Sequence, residues 1–375
     1  MQSFLQLVAH DLYAKIGNDL SRTALIFPNK RANLFFNEYL AGESDQPIWS
    51  PAAMSISDLF QKLSVQKSGD PIRLVCELYK VFKEETQSQE TLDDFYFWGE
   101  LLISDFDDVD KNMVDADKLF SNLQDLKNLM DDYEFLDKEQ EEAIQQFFQN
   151  FSIERRTELK EKFISLWDKL GTIYHHYREN LTELGIAYEG MLYRNVIEQL
   201  DTDQLKYDKY IFVGFNVLNK VENEFFRKLK DAGKALFYWD YDIFYTQQIR
   251  KHEAGEFLKR NLGEFPNELP ESFFDIFKEP KKIRYISAST ENAQARFLPE
   301  WIKMITDNHS QIAEEKEKEN AVVLCNEALL LPVLHSIPQE VKNVNITMGF
   351  PLAQTPVYSF INAAMELQTN GYRSD

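Results

Sequence analysis

The order of apolar and polar residues near the amino terminus predicts a strand, a tight turn and a helix. The run at 23–27 is apolar and ends at Pro28 and Asn29. From Lys30 onward, apolar residues recur at the spacing of one helical face; they are Ala32, Phe35, Phe36, Tyr39 and Leu40. In a parallel sheet, phosphate groups usually bind at such a turn, on the amide groups that begin the helix.

This turn lacks the chemistry of a nucleotide site. A P-loop needs glycines so that backbone amides can surround the phosphates, and a following lysine that reaches the outer ones. Residues 28–34 contain no glycine, and the one Gly-Lys pair, at 233–234, lies between a predicted helix and a strand. An acidic pair that would hold Mg²⁺ is also missing, because the apolar run at 209–213 continues into Gly-Phe-Asn at 214–216.

A strand–helix–strand pattern follows later in the chain. The segments 209–216 and 234–242 are rich in apolar and aromatic residues, and the helix between them begins with a capping-box pair, Asn219 and Glu222. An amphipathic helix is also predicted over 2–16. These patterns indicate a parallel α/β domain.

Between the two α/β parts, residues 70–205 have helical spacing almost throughout and are strongly acidic. Loops of this length without their own secondary structure are uncommon. We therefore expect an all-α insertion. Just before it, Ser57 is positioned to cap a short helix that ends near Leu63.

A second alternation of strand and helix patterns begins after residue 280. Strands are predicted at 283–288, 321–325 and 344–349, and helical patterns separate them. Three strands and a polar tail do not complete a sheet. We therefore expect a truncated α/β domain and a chain that is a fragment of a longer protein.

The predicted fold class is α/β, with two parallel-sheet domains. The first domain occupies 1–69 and 206–280, where its last residues form a connector, and the all-α insertion at 70–205 interrupts it. The second, partial domain occupies 281–375.

Charge and cysteine content limit the possible partners. The chain has 62 acidic and 41 basic residues and a net charge of -21, which excludes a protein that coats DNA or an anionic membrane through its overall field.

Cys76 and Cys325 are far apart and outside any C-x-x-C pattern, so we expect buried thiols in a reducing compartment. No leader pattern or membrane-length apolar run occurs, so we expect a cytoplasmic protein without membrane contact.

No catalytic constellation is evident. Four aspartates form a cluster that lacks the glycine and the terminal glutamate of an EF-hand, so we interpret it as an acidic helix end in solvent; they are Asp105, Asp107, Asp108 and Asp110. His175 and His176 are adjacent on a predicted helix and point about 100° apart, so they cannot chelate one ion together. We predict no catalytic residue, no nucleotide-binding residue, no metal and no cofactor.

Positive and hydrogen-bonding side chains remain at the predicted strand ends. Three follow the first strand and three open the second domain: Asn29, Lys30, Arg31, Lys281, Lys282 and Arg284. They are either ordinary surface residues or contacts to DNA phosphates in a cleft between the two sheets.

The order of several segments resembles the amino-terminal, helicase-like half of AddB-type proteins, the helicase/deoxyribonuclease subunits B. The similar variant is the bacteroidete type described as a PD-(D/E)XK nuclease superfamily protein. The segments are FPNKR in place of the P-loop, PAAMSISDLF, FWGELLISDFDDVDK, VGFNVLNKVENEFFRKL, AVVLCNEALLLPVLHSIP and NITMGFPL.

This resemblance implies a UvrD-like superfamily 1 arrangement of two RecA-like domains, the first split by a helical insertion. It implies a longer parent protein with a PD-(D/E)XK exonuclease domain, and an AddA-type helicase-nuclease subunit as the partner. The process implied is double-strand-break end processing and recombinational repair. Family members with an intact P-loop can bind nucleotide, but residues 28–34 depart from that pattern, so we expect no ATP use and no enzyme activity of this chain.

Two functions of different classes remain open. The first is a catalytically silent helicase-like module that binds single-stranded DNA weakly and also binds a motor partner. The second is a protein-interaction scaffold without DNA binding, which the charge of -21 favours. A third possibility, an active ATPase with an unrecognisable loop, has neither a glycine in the turn nor an acidic pair to support it.

Overall fold

The computed structural model describes residues 2–120, 158–247, 253–305 and 320–371. The chain divides into two compact units, Met1–Glu279 and Pro280–Asp375. The strands within these residues, all in the first unit, are β1 (Thr23–Phe27), β2 (Ala52–Ser55), β3 (Lys67–Ser68), β4 (Ile186–Ala187), β5 (Lys209–Val213) and β6 (Ala235–Tyr238).

The helices in the described part of the first unit are α1 (Phe4–Ile16), α2 (Ala32–Ala41), α3 (Ile56–Leu63), α4 (Pro71–Thr86), α5 (Leu92–Lys111), α6 (Glu158–Glu183), α7 (Glu189–Gln199), α8 (Lys220–Asp231), α9 (Ile243–Thr246) and α10 (Glu253–Glu264). Residues 116–120 are also helical. Within the described residues, none of the helices is both long and apolar enough to cross a membrane.

Four strands form a parallel sheet in the order β2-β1-β5-β6. Ile26 pairs with Met54 on one side and with Phe212 on the other. The predicted strand, turn and helix near the amino terminus are confirmed as β1 and α2, and the later strand–helix–strand unit as β5, α8 and β6. The mixed α/β fold with a parallel sheet is therefore confirmed.

Both faces of the sheet are covered, as the unbroken apolar runs of its strands require. Ile26 and Phe212 point into a core shared with α3 and α8. Leu25 and Phe27, their neighbours on the opposite face, pack with α1 and α2. Removing each such side chain from water stabilises the folded state by roughly 1.5–3 kcal/mol. The two cores therefore hold the strand ends in fixed positions.

Phenylalanine rings fill much of the core between the sheet and α8. The ring centroid of Phe212 lies 3.9 Å from that of Phe226 and 5.5 Å from that of Phe237. Phe265 extends the cluster at 5.7 Å from Phe226. These aromatic rings therefore pack against one another in the core.

The insertion is helical but not purely so. The helix α4 packs against α5 and α6, and α5 packs against α7. The strand β4 lies inside the predicted all-α segment and pairs in parallel with β3, with Lys67 opposite Ile186. The all-α prediction is wrong here because a strand of two residues is too short to produce an alternating pattern. Residues 121–157 of the insertion lie outside the described residues.

The cap of α3 differs from the prediction by two residues. Ser55, not Ser57, occupies the N-cap position, and its hydroxyl and the Asp58 carboxylate form a complete capping box. The sequence contained this signal, because Ser55 and Asp58 have the S-x-x-D spacing of a capping box. The predicted box of Asn219 and Glu222 at the start of α8 is confirmed.

The second unit contains α11 (Glu291–Arg296), α12 (Leu298–Ile305), α13 (Leu330–Ser336) and α14 (Pro356–Asn370). Its buried core in the described range consists of Ala295, Leu298 and Val333. The residues described here belong to helices, 3₁₀ turns or irregular segments.

The strands predicted at 283–288, 321–325 and 344–349 are wrong, since these residues lie in neither helix nor strand. A strand requires a hydrogen-bonded neighbour, and an apolar segment without one remains exposed, as Tyr285 (91%) and Val323 (85%) do. The expected pair of buried thiols is also wrong. Cys325 is exposed because its segment is not covered by a sheet, and Cys76 is half-buried on α4.

Candidate nucleic-acid interface

The four parallel strands end at one edge of the sheet, which we call the carboxyl edge. Phe27 at the end of β1 lies opposite Ser55 at the end of β2, and β5 and β6 end beside them in the sheet order. Open α/β sheets bind their ligands at this edge. Three of the six residues predicted to contact DNA, Asn29, Lys30 and Arg31, lie in the loop that follows β1.

The loop after β1 leads into a helix without a side-chain cap. Asn29 Oδ1 accepts a hydrogen bond from the Arg31 N–H at 3.1 Å. Arg31 occupies the N-cap position of α2 with helical angles (φ −72°, ψ −37°), and its side chain makes no capping hydrogen bond. The amides of an uncapped first turn carry a partial positive charge, so this helix start offers donors to an anion.

Lys30 lies beside a carboxylate in the first turn of α3. Its Nζ is 3.0 Å from Asp58 Oδ1, and the Lys30 side chain is 74% exposed. The other oxygen, Asp58 Oδ2, accepts hydrogen bonds from the Ser55 N–H and hydroxyl. Partial burial acts to raise the pKa of Asp58, but the hydrogen bonds from Ser55 and the charge of Lys30 outweigh it and lower that pKa. A phosphate at this edge must therefore compete with a fixed carboxylate for Lys30.

Exposed apolar side chains of α2 follow the two basic residues. Leu34 is 70% exposed and Phe35 46%, whereas Phe36 is buried. The prediction that Phe35 lies on the apolar stripe is wrong. Consecutive residues of a helix point about 100° apart, and Phe36 occupies the core position instead. Within the described part of the chain, the buried Oδ1 of Asn33 has no hydrogen-bond partner.

The loop after β5 contributes no charge to this edge. Gly214 has φ +73°, a left-handed conformation that favours glycine. Phe215 is buried, and the Asn216 carbonyl accepts a hydrogen bond from Asn261 Nδ2 at 2.6 Å. Val217 follows with 58% exposure. The end of β5 therefore supplies a tight turn and an apolar surface.

The other three predicted DNA contacts, Lys281, Lys282 and Arg284, lie in the second unit. All three are exposed, in a segment without helix or strand, and the Arg284 guanidinium donates a hydrogen bond to the sulfur of Met304. The structure thus groups Asn29, Lys30 and Arg31 in one loop of the first unit and holds the second set of three in the other unit.

Asp110 is fully buried, although the sequence indicated an acidic helix end in solvent. Its Oδ1 accepts hydrogen bonds from the Tyr174 hydroxyl at 2.6 Å and from the Arg178 guanidinium, and its Oδ2 accepts one from the Tyr188 hydroxyl at 2.5 Å. Arg194 adds a second cation at 3.3 Å. These partners lie 64 to 84 residues further along the chain, so no local pattern could reveal them.

The titration behaviour of this network is that of a structural ion pair. Burial, together with the charge of Asp110, raises the pKa of Tyr174 to about 12. Burial raises the pKa of Tyr188 well above its ordinary value for the same reasons. For Arg178, burial acts to lower the pKa, but the charge of Asp110 outweighs it and the pKa is raised. The phenols stay neutral and the guanidinium stays charged, so the network joins α5, α6 and α7.

The two adjacent histidines bind different carboxylates. His175 Nε2 is 2.7 Å from Asp117 Oδ1, and His176 Nδ1 is 2.6 Å from Glu85 Oε1. Across the described ranges, no group of three or more His, Cys, Asp and Glu side chains is arranged to hold a metal ion.

The chemistry available at the carboxyl edge is phosphate binding by amide, ammonium and guanidinium groups.

No protein-family model matches this chain, and no curated protein matches it either.

Proposed function

We propose that this chain is a catalytically silent, helicase-like module that binds single-stranded DNA at its carboxyl edge, within an AddAB-type helicase-nuclease that processes double-strand breaks. The observation that carries the proposal is the uncapped start of α2 beside the exposed Lys30 and Arg31. The resemblance of the segment order to AddB-type proteins supports the biological setting, including the RecA-like character of the first domain.

The first turn of α2 supplies the main contact to a phosphate. Backbone N–H groups at a helix start point along the axis toward the loop, where the helix dipole favours negative charge. Lys30 and Arg31 add an ammonium and a guanidinium group at the same place, and guanidinium groups bind phosphate oxygens in pairs. These groups read the DNA backbone and carry no sequence information.

Apolar groups next to these donors fit the bases of a single strand better than a closed duplex. Phe35 is half-exposed and Leu34 is largely exposed in the first turns of α2. Base stacking on an aromatic ring contributes about 1–3 kcal/mol per base and tolerates any sequence. A single strand with its backbone on Lys30 and Arg31 can therefore place a base against Phe35.

The test is a pair of double substitutions that remove the same charge at different places. The variant Lys30→Ala with Arg31→Ala is compared with Lys259→Ala with Arg260→Ala, an adjacent exposed pair on α10. Fluorescence anisotropy with a labelled oligothymidylate at low salt should show a loss of tenfold or more for the first variant and parental affinity for the second. Equal affinities of the first variant and the parent contradict the proposal.

A second candidate function, docking of a protein partner without DNA binding, is favoured by the second unit. Its helix α14 leaves most of its large apolar side chains exposed: Val357, Tyr358, Phe360, Ile361, Met365 and Leu367. Exposed apolar patches of this kind mark interaction sites. We propose the AddA-type motor subunit as the occupant, as the resemblance implies.

Sedimentation of this chain mixed with an AddA-type subunit tests the docking function. The variant Phe360→Ser removes a 75%-exposed ring and should weaken the complex at least tenfold. The variant Val65→Ser, at an 87%-exposed position of the first unit, is the matched control. A complex that forms equally well with Phe360→Ser contradicts docking on α14.

A further inference from the structure

A groove in the second unit lies between α11 and α13. These helices pack through Ala295 and Val333, which are buried together with Leu298. The groove has a volume of about 800 Å³, which is within the range of roughly 300–1,000 Å³ typical of small-molecule sites.

Hydrogen-bond donors line the groove from both helices. Asn292 and Arg296 are four residues apart on α11, so they share one face of that helix, and both line the groove. Leu331 and His335 have the same spacing on α13 and line it from the other helix. An amide, a guanidinium and an imidazole therefore face the same space.

The donors of Arg296 are not used by a carboxylate. Elsewhere in this acidic chain arginines form ion pairs, as Arg194 does with Glu198 and Arg227 with Glu264. In the described part of the chain, Arg296, Asn292 and His335 have no side-chain hydrogen-bond or ion-pair partner. An unpaired guanidinium keeps its planar set of donors available for the oxygens of an anionic group.

One wall of the groove is apolar and rigid, although the polar residues Ser336 and Gln339 also line the groove. Pro299, Pro332 and Pro338 line it, and proline has a fixed ring and no N–H group. Leu331 adds an aliphatic side chain. The groove therefore suits a ligand that joins one anionic group to a flat, weakly polar body.

We propose that this groove binds the phosphate monoester of a nucleotide, with Arg296, His335 and Asn292 on the phosphate oxygens and the sugar and base along the proline wall. A phosphate monoester has three acceptor oxygens, which matches three converging donor groups better than the two oxygens of a carboxylate do. The nucleotide is either a free nucleoside monophosphate or the 5′-phosphorylated end of single-stranded DNA. The proposal does not depend on the carboxyl-edge function, since its residues all lie in the second unit.

Calorimetric titration of the full chain with thymidine 5′-monophosphate, thymidine and inorganic phosphate tests the ligand class. The monophosphate should bind at least tenfold more tightly than either of the other two. The variant Arg296→Gln should lose at least tenfold in affinity, while the matched variant Arg260→Gln, at an exposed position of α10, should bind as the parent does. Equal binding of thymidine, equal binding of inorganic phosphate, or an unchanged affinity of Arg296→Gln overturns the proposal.

Two oligothymidylates that differ only at the 5′ end show whether the bound phosphate belongs to a free nucleotide or to a DNA end. If the DNA end is the ligand, the 5′-phosphorylated strand binds more tightly than the 5′-hydroxyl strand, and Arg296→Gln removes that difference. If the free nucleotide is the ligand, the two strands bind equally while the monophosphate titration stays positive. The Lys30→Ala, Arg31→Ala variant should retain monophosphate binding, so failure of the carboxyl-edge proposal and failure of this one give different results.

Discussion

The ammonium group of Lys30 lies 3.0 Å from the carboxylate of Asp58, so the cation that follows the first strand already has a partner in the first turn of α3. A lysine in a P-loop points at phosphate from within a glycine-rich turn. Here the Asn29 side chain accepts a hydrogen bond from the Arg31 N–H within the turn, and the lysine forms an ion pair with the Asp58 carboxylate. This arrangement suits weak and reversible contact with a phosphate backbone.

Removing the charge of Asp58 should strengthen DNA binding. The substitution Asp58→Asn keeps an oxygen that can accept the hydrogen bonds of Ser55, but it releases Lys30. We expect the affinity for single-stranded DNA at low salt to rise about threefold to tenfold, because the Coulombic competition of a close, exposed pair is worth on the order of 1 kcal/mol. Fluorescence anisotropy measures the change.

A matched control exists on another helix. Asp94 has the same position in the capping box of α5, with Thr91 as the N-cap residue. The substitution Asp94→Asn removes the same charge away from the carboxyl edge and should leave DNA affinity unchanged. A similar rise for both variants would show that only the net charge matters.

The buried Asp110 network should dominate the stability of the insertion. The substitution Asp110→Asn leaves Arg178 without its charged partner, and breaking such a buried pair costs about 3–5 kcal/mol. Chemical denaturation should show a loss of this size in the free energy of unfolding. The neighbouring Asp108→Asn, at an exposed position, should change it by less than about 0.5 kcal/mol. Equal effects of the two substitutions contradict a buried ionic role for Asp110.

The contact between α5 and α7 requires a glycine. A Cβ atom added at Gly190 would lie 2.4 Å from the carbonyl oxygen of Asp107, a backbone atom that cannot rotate away. Gly190→Ala should therefore lower the free energy of unfolding by about 1–3 kcal/mol. Gly263→Ala on α10, where no atom lies within 4 Å of the added methyl group, should raise it by about 0.5–1 kcal/mol. Thermal unfolding of both variants checks the opposite signs.

Stability should fall at alkaline pH in a way that depends on Tyr174. Its pKa is raised to about 12 in the folded chain, first by burial and then by the charge of Asp110, against about 10 in the unfolded chain. The stabilisation from the neutral phenol is fully present below pH 10 and is lost as the pH rises toward 12. The stability difference between the parent and Tyr174→Phe should therefore shrink between pH 10 and pH 12. A constant difference over this interval would contradict the burial of this phenol.

Local patterns were sufficient to predict the framework of the first unit. The run at 23–27 and the capping box of Asn219 and Glu222 depend on residues close together in sequence, so β1, α2 and the later strand–helix–strand unit could be predicted. The Lys30–Asp58 contact could not be predicted, because it joins the loop after β1 to the first turn of α3, and their proximity follows from the pairing of β1 with β2.

Two kinds of feature were not predictable from one sequence. The burial of Asp110 depends on partners more than 60 residues away, and its acidic neighbours made solvent exposure the simpler interpretation. The segments at 283–288, 321–325 and 344–349 have the composition of strands, but composition does not supply the neighbouring strand that pairing requires. Their exposure in the structure marks where the sequence pattern and the observed pairing differ.

The salt dependence of single-stranded DNA binding tests the central claim most directly. Anisotropy titrations of an oligothymidylate at several salt concentrations give the slope of log affinity against log salt. We predict a shallow slope of about two to three in magnitude for the parent, since only two or three phosphates are neutralised, and a decrease of about two for the Lys30→Ala, Arg31→Ala variant. A slope that is the same in the parent and the variant would contradict DNA binding at the carboxyl edge.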